Sequence, residues 1–85
     1  MENGVDQLLL LADDQIDYDD LSVGVLVELA VQRNEPFVAT SALGRLAVRF
    51  PTDFISAAQT ILRAPWDRHL TSYALQTLFS ERPHE

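Results

Sequence analysis

Leu21-Ser22-Val23-Gly24-Val25-Leu26-Val27-Glu28-Leu29-Ala30-Val31-Gln32-Arg33 is the stretch whose reading decides the fold. It holds four valines, and β-branched residues taken alone favour a strand. Two features decide for a helix over about residues 20–33 instead. The segment runs beyond ten residues, and Asp19 or Asp20 stands before it as an N-cap, where a carboxylate also suits the positive end of the helix dipole. Leu21, Val23, Val25, Leu26, Val27, Leu29, Ala30 and Val31 cover most of the circumference of such a helix. A helix apolar on several sides belongs in the middle of a bundle or stack.

Downstream, the spacing predicts three more helices. The first spans about 35–50, with Pro36 in the first turn, where its missing N–H costs nothing. Its apolar stripe is Val38, Ala39, Ala42, Leu43, Leu46, Ala47 and Phe50, and Pro51 ends it. Thr52 or Asp53 caps the next, about 53–64, with Phe54, Ala57, Ala58, Ile61 and Leu62 inward until Ala64-Pro65. Asp67 caps the last, about 67–81, with Leu70, Tyr73, Ala74, Leu75 and Leu78 inward until Pro83. Upstream, Val5, Leu8, Leu9 and Ala12 space out a short leading helix at about 4–12, followed by an aspartate-rich loop. Connections this short force neighbouring helices into antiparallel hairpins. The expected fold is all-α: five helices, with two stacked antiparallel hairpins after a short N-terminal helix. One domain covers 1–85, with an acidic helix and loop over 1–19, hairpins over 20–82 and a tail at 83–85.

Alternate helices repeat at an offset of 32 residues: Ala42/Ala74, Leu43/Leu75, Leu46/Leu78 and Pro51/Pro83 are identical. The stretch Phe37-Val38-Ala39-Thr40-Ser41-Ala42-Leu43-Gly44-Arg45-Leu46-Ala47 resembles the first helix of a short HEAT-like repeat, with Leu70-Thr71-Ser72-Tyr73-Ala74-Leu75-Gln76-Thr77-Leu78 as a weaker copy. The pattern departs at Ala39, Thr71 and Gln76. The tetratricopeptide and ankyrin signatures are missing. The resemblance implies a protein-binding scaffold whose inner surface is lined by the second and fourth helices, which makes Glu28, Gln32, Gln59 and Arg63 candidate contacts. Such stacks generally need about three repeats and polar end caps. Two repeats therefore imply a homodimer burying a leftover face, or a closed bundle.

Composition narrows the function. The chain has 85 residues, 47% apolar and 22% charged, with no Cys and a net charge of −7. That composition is globular rather than disordered. Without Cys there is no disulfide framework, thiolate zinc site or thiol nucleophile. The acidity argues against binding to nucleic acid or an anionic membrane. The opening residues are acidic where a secretory signal would be basic, and the longest run without Asp, Glu, Lys or Arg, His69 to Ser80, is too short to span a bilayer. A cytoplasmic protein is expected.

All of the imbalance sits in residues 1–20, which hold seven acids and no base. Five of them, Asp13, Asp14, Asp17, Asp19 and Asp20, flank Tyr18. A calcium loop fails, because counting from Asp17 puts Leu21 fifth and Ser22, rather than Gly, sixth. Two readings stand beside each other: a solvated loop that caps the next helix, and a negative docking patch, Tyr18 included, for a basic protein such as a nuclease or toxin. The second would make the chain a small acidic inhibitor or immunity-type protein. Catalytic inventory is thin. His69 and His84 are the near-neutral acid–base groups, and no nucleophile elbow, phosphate-cradling glycine loop or paired-histidine metal motif occurs. Trp66 caps the core or anchors an interface. The sequence thus points to a non-enzymatic interaction module with no cofactor and no metal.

Overall fold

A computed structural model describes residues 13–81 of the chain. Two single-turn 3-10 segments, Asp13–Gln15 and Tyr18–Asp20, lead into four α-helices: α1 (Val23–Val31), α2 (Pro36–Arg49), α3 (Pro51–Arg63) and α4 (Arg68–Glu81). Among the described residues there is no strand. The valine-rich stretch is therefore helical, and the all-α class is established. The leading helix expected at 4–12 lies outside the described residues.

Helix boundaries follow local chemistry. Pro36 and Pro51 each occupy the first turn of their helix, where no intrahelical N–H is required. Asp67 caps α4: its Oδ2 accepts the Leu70 N–H at 2.8 Å, and its carbonyl accepts the Thr71 hydroxyl at 2.6 Å. Two expected caps are corrected. Ser22, rather than Asp19 or Asp20, precedes α1, and its Oγ accepts the Val25 N–H at 3.4 Å. Helix α1 is accordingly shorter than the 20–33 expected. At the α2–α3 junction the cap is Phe50, with φ −137° and ψ 70°, rather than Thr52 or Asp53. Phe50 ends α2 and starts α3 at once, so the chain turns within a single residue. Pro51 forces this, since it supplies no N–H to continue α2 yet is preset for the opening of α3.

The core is apolar throughout. Leu26 and Leu29 of α1, Leu43 and Leu46 of α2, Phe54 of α3 and Leu70 of α4 are fully buried, and no buried residue among those described is polar or charged. Alanines line the buried contacts on every helix: Ala30, Ala39, Ala42, Ala47, Ala57, Ala58 and Ala74. Small side chains there let helix axes approach closely. Helices α2 and α3 each pack against all three others, α1 also packs on α3, and α2 on α4. The middle of the molecule is thus α2 and α3, which corrects the expectation that the valine-rich helix would be central. In α1 only Leu26, Leu29 and Ala30 are buried; Val23, Val25, Val27 and Val31 are half-exposed at its flanks. Hydrophobicity on several sides of α1 reflects a broad outer face, whereas α2 earns the central place through small residues on two sides.

Candidate functional site

The acidic segment is fixed to the body of the molecule by two arginines one turn apart on α2. The Arg45 Nε stands 2.9 Å from Asp19 Oδ1. One Arg49 guanidinium nitrogen donates to the carbonyls of Asp19, at 3.2 Å, and Tyr18, at 3.5 Å, while the guanidinium lies 5.0 Å from the centre of the Phe50 ring. Between these polar ties, Ile16 and Tyr18 are driven into the core, each 7% exposed. The alternation of buried Ile16 and Tyr18 with exposed Asp14, Asp17, Asp19 and Asp20 puts the carboxylates on the outer side. Asp13 opens the first 3-10 turn. Tyr18 was expected as a surface contact and is instead a core residue: the alternating pattern buries a ring that composition alone places among the acids.

The other candidate contacts lie on the adjoining helices α1 and α3. Glu28, Gln59 and Arg63 are exposed, and Gln32 is half-buried. Gln32 has a local task. Its Oε1 accepts the N–H groups of Asn34 and Glu35, at 2.7 and 2.9 Å, and its Nε2 donates to the Glu35 carbonyl at 2.7 Å, closing the α1–α2 turn. Three of the four side chains therefore project to solvent, and the fourth shapes the loop beside them.

Remaining chemistry-bearing residues are scattered. His69 is exposed in the first turn of α4, its ring 6.0 Å from Phe37. His84 lies outside the described residues. Among the described residues no three His, Asp or Glu side chains converge as metal ligands. Trp66 is half-buried against the core, with its indole N–H buried and without a hydrogen-bond partner. It forms one wall of an open cleft of about 460 Å3 beside the α3–α4 turn, together with Pro65, Arg68, Thr71, Ser72 and Leu75. A second hollow of similar size lies between the acidic segment and α2, floored by Gly44 and walled by Tyr73.

Sequence reasoning missed this cleft and the residues next to it. Leu75 was expected inward and is 44% exposed, and Phe79, on the same side of α4, is 67% exposed. The available signal was the spacing of Arg68, Ser72, Leu75 and Phe79, which is 4, 3 and 4 residues and marks a second stripe opposite the core stripe of Leu70 and Ala74.

No family model matches the chain, and no curated protein or solved structure matches it either. No described helix is long and apolar enough to cross a membrane.

Proposed function

We propose that this chain is a non-enzymatic protein-interaction module that works in the cytoplasm as a short HEAT-like stack of two helical hairpins. The observation that supports this reading is the pairing of like with like: α1 packs on α3 and α2 on α4, as two stacked hairpins would. That arrangement agrees with the 32-residue offset in the sequence. Two parallel layers of rigid helix present extended faces without needing a reactive group. Glu28 of α1 and Gln59 and Arg63 of α3 are exposed polar side chains suited to the rim of a peptide or helix contact.

A second reading is favoured by the ties from Arg45 and Arg49. Arg49 holds the backbone carbonyls of the acidic segment and Arg45 its Asp19 carboxylate, while Asp14, Asp17 and Asp20 stay exposed, a prearranged negative platform for a basic protein. Affinity capture from the native source with three baits separates the two. The module reading expects a partner retained by the wild type and by Asp13, Asp14, Asp17, Asp19 and Asp20→Asn combined, and lost from Glu28→Lys/Gln59→Lys/Arg63→Glu. The inhibitor reading expects the opposite, with binding that falls steeply as salt rises. A partner lost from neither variant overturns both.

A further inference from the structure

We infer that the open end of the groove between α2 and α4, around Phe37, is the docking site of another segment of this same chain, the run Leu8-Leu9-Leu10-Leu11. This goes beyond the function proposed above. Two contacts define the groove. Near the helix starts, the Phe37 ring lies 6.0 Å from that of His69. Two turns along, Gly44 approaches Tyr73 so closely that a Cβ there would stand 2.8 Å from the hydroxyl oxygen. Thr40 and Ser41 lie between them on the same side of α2. The two ends differ in what covers them. At the Gly44 end, Asp14, Ile16 and Tyr18 of the acidic segment border the hollow of about 460 Å3, with Ile16 and Tyr18 each 7% exposed. The Phe37 end is open among the described residues: Phe37 is 64% exposed, and His69 is exposed beside it.

The path of the chain points to the occupant. Arg49, in the last turn of α2, holds the Tyr18 and Asp19 carbonyls, and Arg45, one turn earlier, holds the Asp19 carboxylate. Asp14 and Ile16 then border Thr40, Ser41 and Gly44, and the turn Asp13–Gln15 packs on α2. Followed from Asp20 back to Asp13, the segment therefore runs against α2, from its end towards its start. Phe37 stands four residues before Ser41, about 6 Å further along the axis. The eight residues Val5-Asp6-Gln7-Leu8-Leu9-Leu10-Leu11-Ala12 come next. They span about 26 Å if extended and about 12 Å if coiled, so either form reaches Phe37. Four leucines in succession put apolar side chains on more than one side in either form, and some therefore meet the groove. The patch around Phe37 is small, but the segment is joined directly to Asp13. Docking is then intramolecular, at an effective concentration in roughly the millimolar range, and a contact too small to hold two separate molecules suffices. Other exposed apolar side chains lie off this path: Val48 is at the opposite end of α2, and Leu75 and Phe79 are farther along α4.

Because the chain has no cysteine, single nitroxide labels on the full chain test this through the broadening of amide resonances. A label at Glu35→Cys, two residues from Phe37, is expected to broaden the signals of Leu8 to Leu11. A label at Ser80→Cys, beside the competing apolar side chain Phe79, is expected to leave them sharp. Labelled chains mixed with separate, isotope-enriched chains should produce no broadening, since the contact lies within one copy. Urea titrations give an independent readout, because an aromatic ring that is covered contributes more to stability than one left in solvent. Phe37→Ala is expected to lower the midpoint of the wild type and to leave it in place in a Leu8→Ser/Leu9→Ser/Leu10→Ser/Leu11→Ser background. Leu8 to Leu11 staying sharp beside the Glu35→Cys label, broadening that arises only between copies, or an equal effect of Phe37→Ala in both backgrounds overturns the inference.

Discussion

Gly24 and Gly44 differ in what a side chain would meet. A Cβ at Gly24, in the first turn of α1, would have no atom within 4 Å. A Cβ at Gly44, midway along α2, would stand 2.8 Å from the Tyr73 hydroxyl oxygen and 3.8 Å from the ring carbon that bears it. Gly24→Ala is therefore expected to stabilise the fold by about 0.5 kcal/mol, the gain in helix propensity near a helix start. Gly44→Ala is expected to destabilise by about 1 kcal/mol, since overpacking against a stiff, half-buried tyrosine exceeds the propensity gain. Removing only the hydroxyl reverses the sign: in a Tyr73→Phe background Gly44→Ala becomes stabilising. Urea titrations of the four variants measure this coupling, and equal effects in both backgrounds would show that Gly44 is not kept by its neighbour.

At the scale of elements, how legible a boundary was depended on whether its cause is local. Pro36, Pro51 and Asp67 act within one turn of themselves, and the helices they open lie within two residues of where the spacing predicts them. The start of α1 was misplaced because Asp19 is held by Arg45 and Arg49, some thirty residues away, which no local pattern reveals. The same long-range cause hid the burial of Tyr18. The outer placement of α1 was hidden too, since the choice of a central helix rests on which helix offers small residues on two faces. The exposure of the carboxylates and of Glu28, Gln59 and Arg63 was readable; that of Leu75 and Phe79 emerges only once α4 is packed on its neighbours. The two kinds of contact should also differ in strength. Asp67→Ala removes a cap and is expected to cost about 1 kcal/mol. Arg45→Gln breaks an exposed ion pair and is expected to cost less than about 0.5 kcal/mol, diminishing further in high salt. Thermal melts at two salt concentrations compare them; a larger loss for Arg45→Gln would mean that the acidic segment depends on that pair rather than on Ile16 and Tyr18.

For the molecule as a whole, the decisive feature is that all four helices and the acidic segment share one core. Leu43 and Leu46 of α2 and Phe54 and Ile61 of α3 are part of a single buried cluster that extends to Leu26 and Leu29 of α1, to Leu70 and Ala74 of α4 and to Ile16 and Tyr18 of the acidic segment. Every helix contributes to this one cluster, so no helix pair has an apolar interior set apart from the rest. Unfolding is therefore expected to be a single cooperative transition. Trp66 is the sole tryptophan and sits in the α3–α4 turn, so its fluorescence follows that end, whereas far-ultraviolet dichroism follows every helix. The two signals should change at the same denaturant concentration. Phe54→Ala, which empties a fully buried position on α3, should lower both midpoints together by about 3–5 kcal/mol of stability. If the tryptophan signal instead moved apart from the helical one, the α3–α4 end would unfold as a separate unit, as in an open stack with weak coupling between repeats.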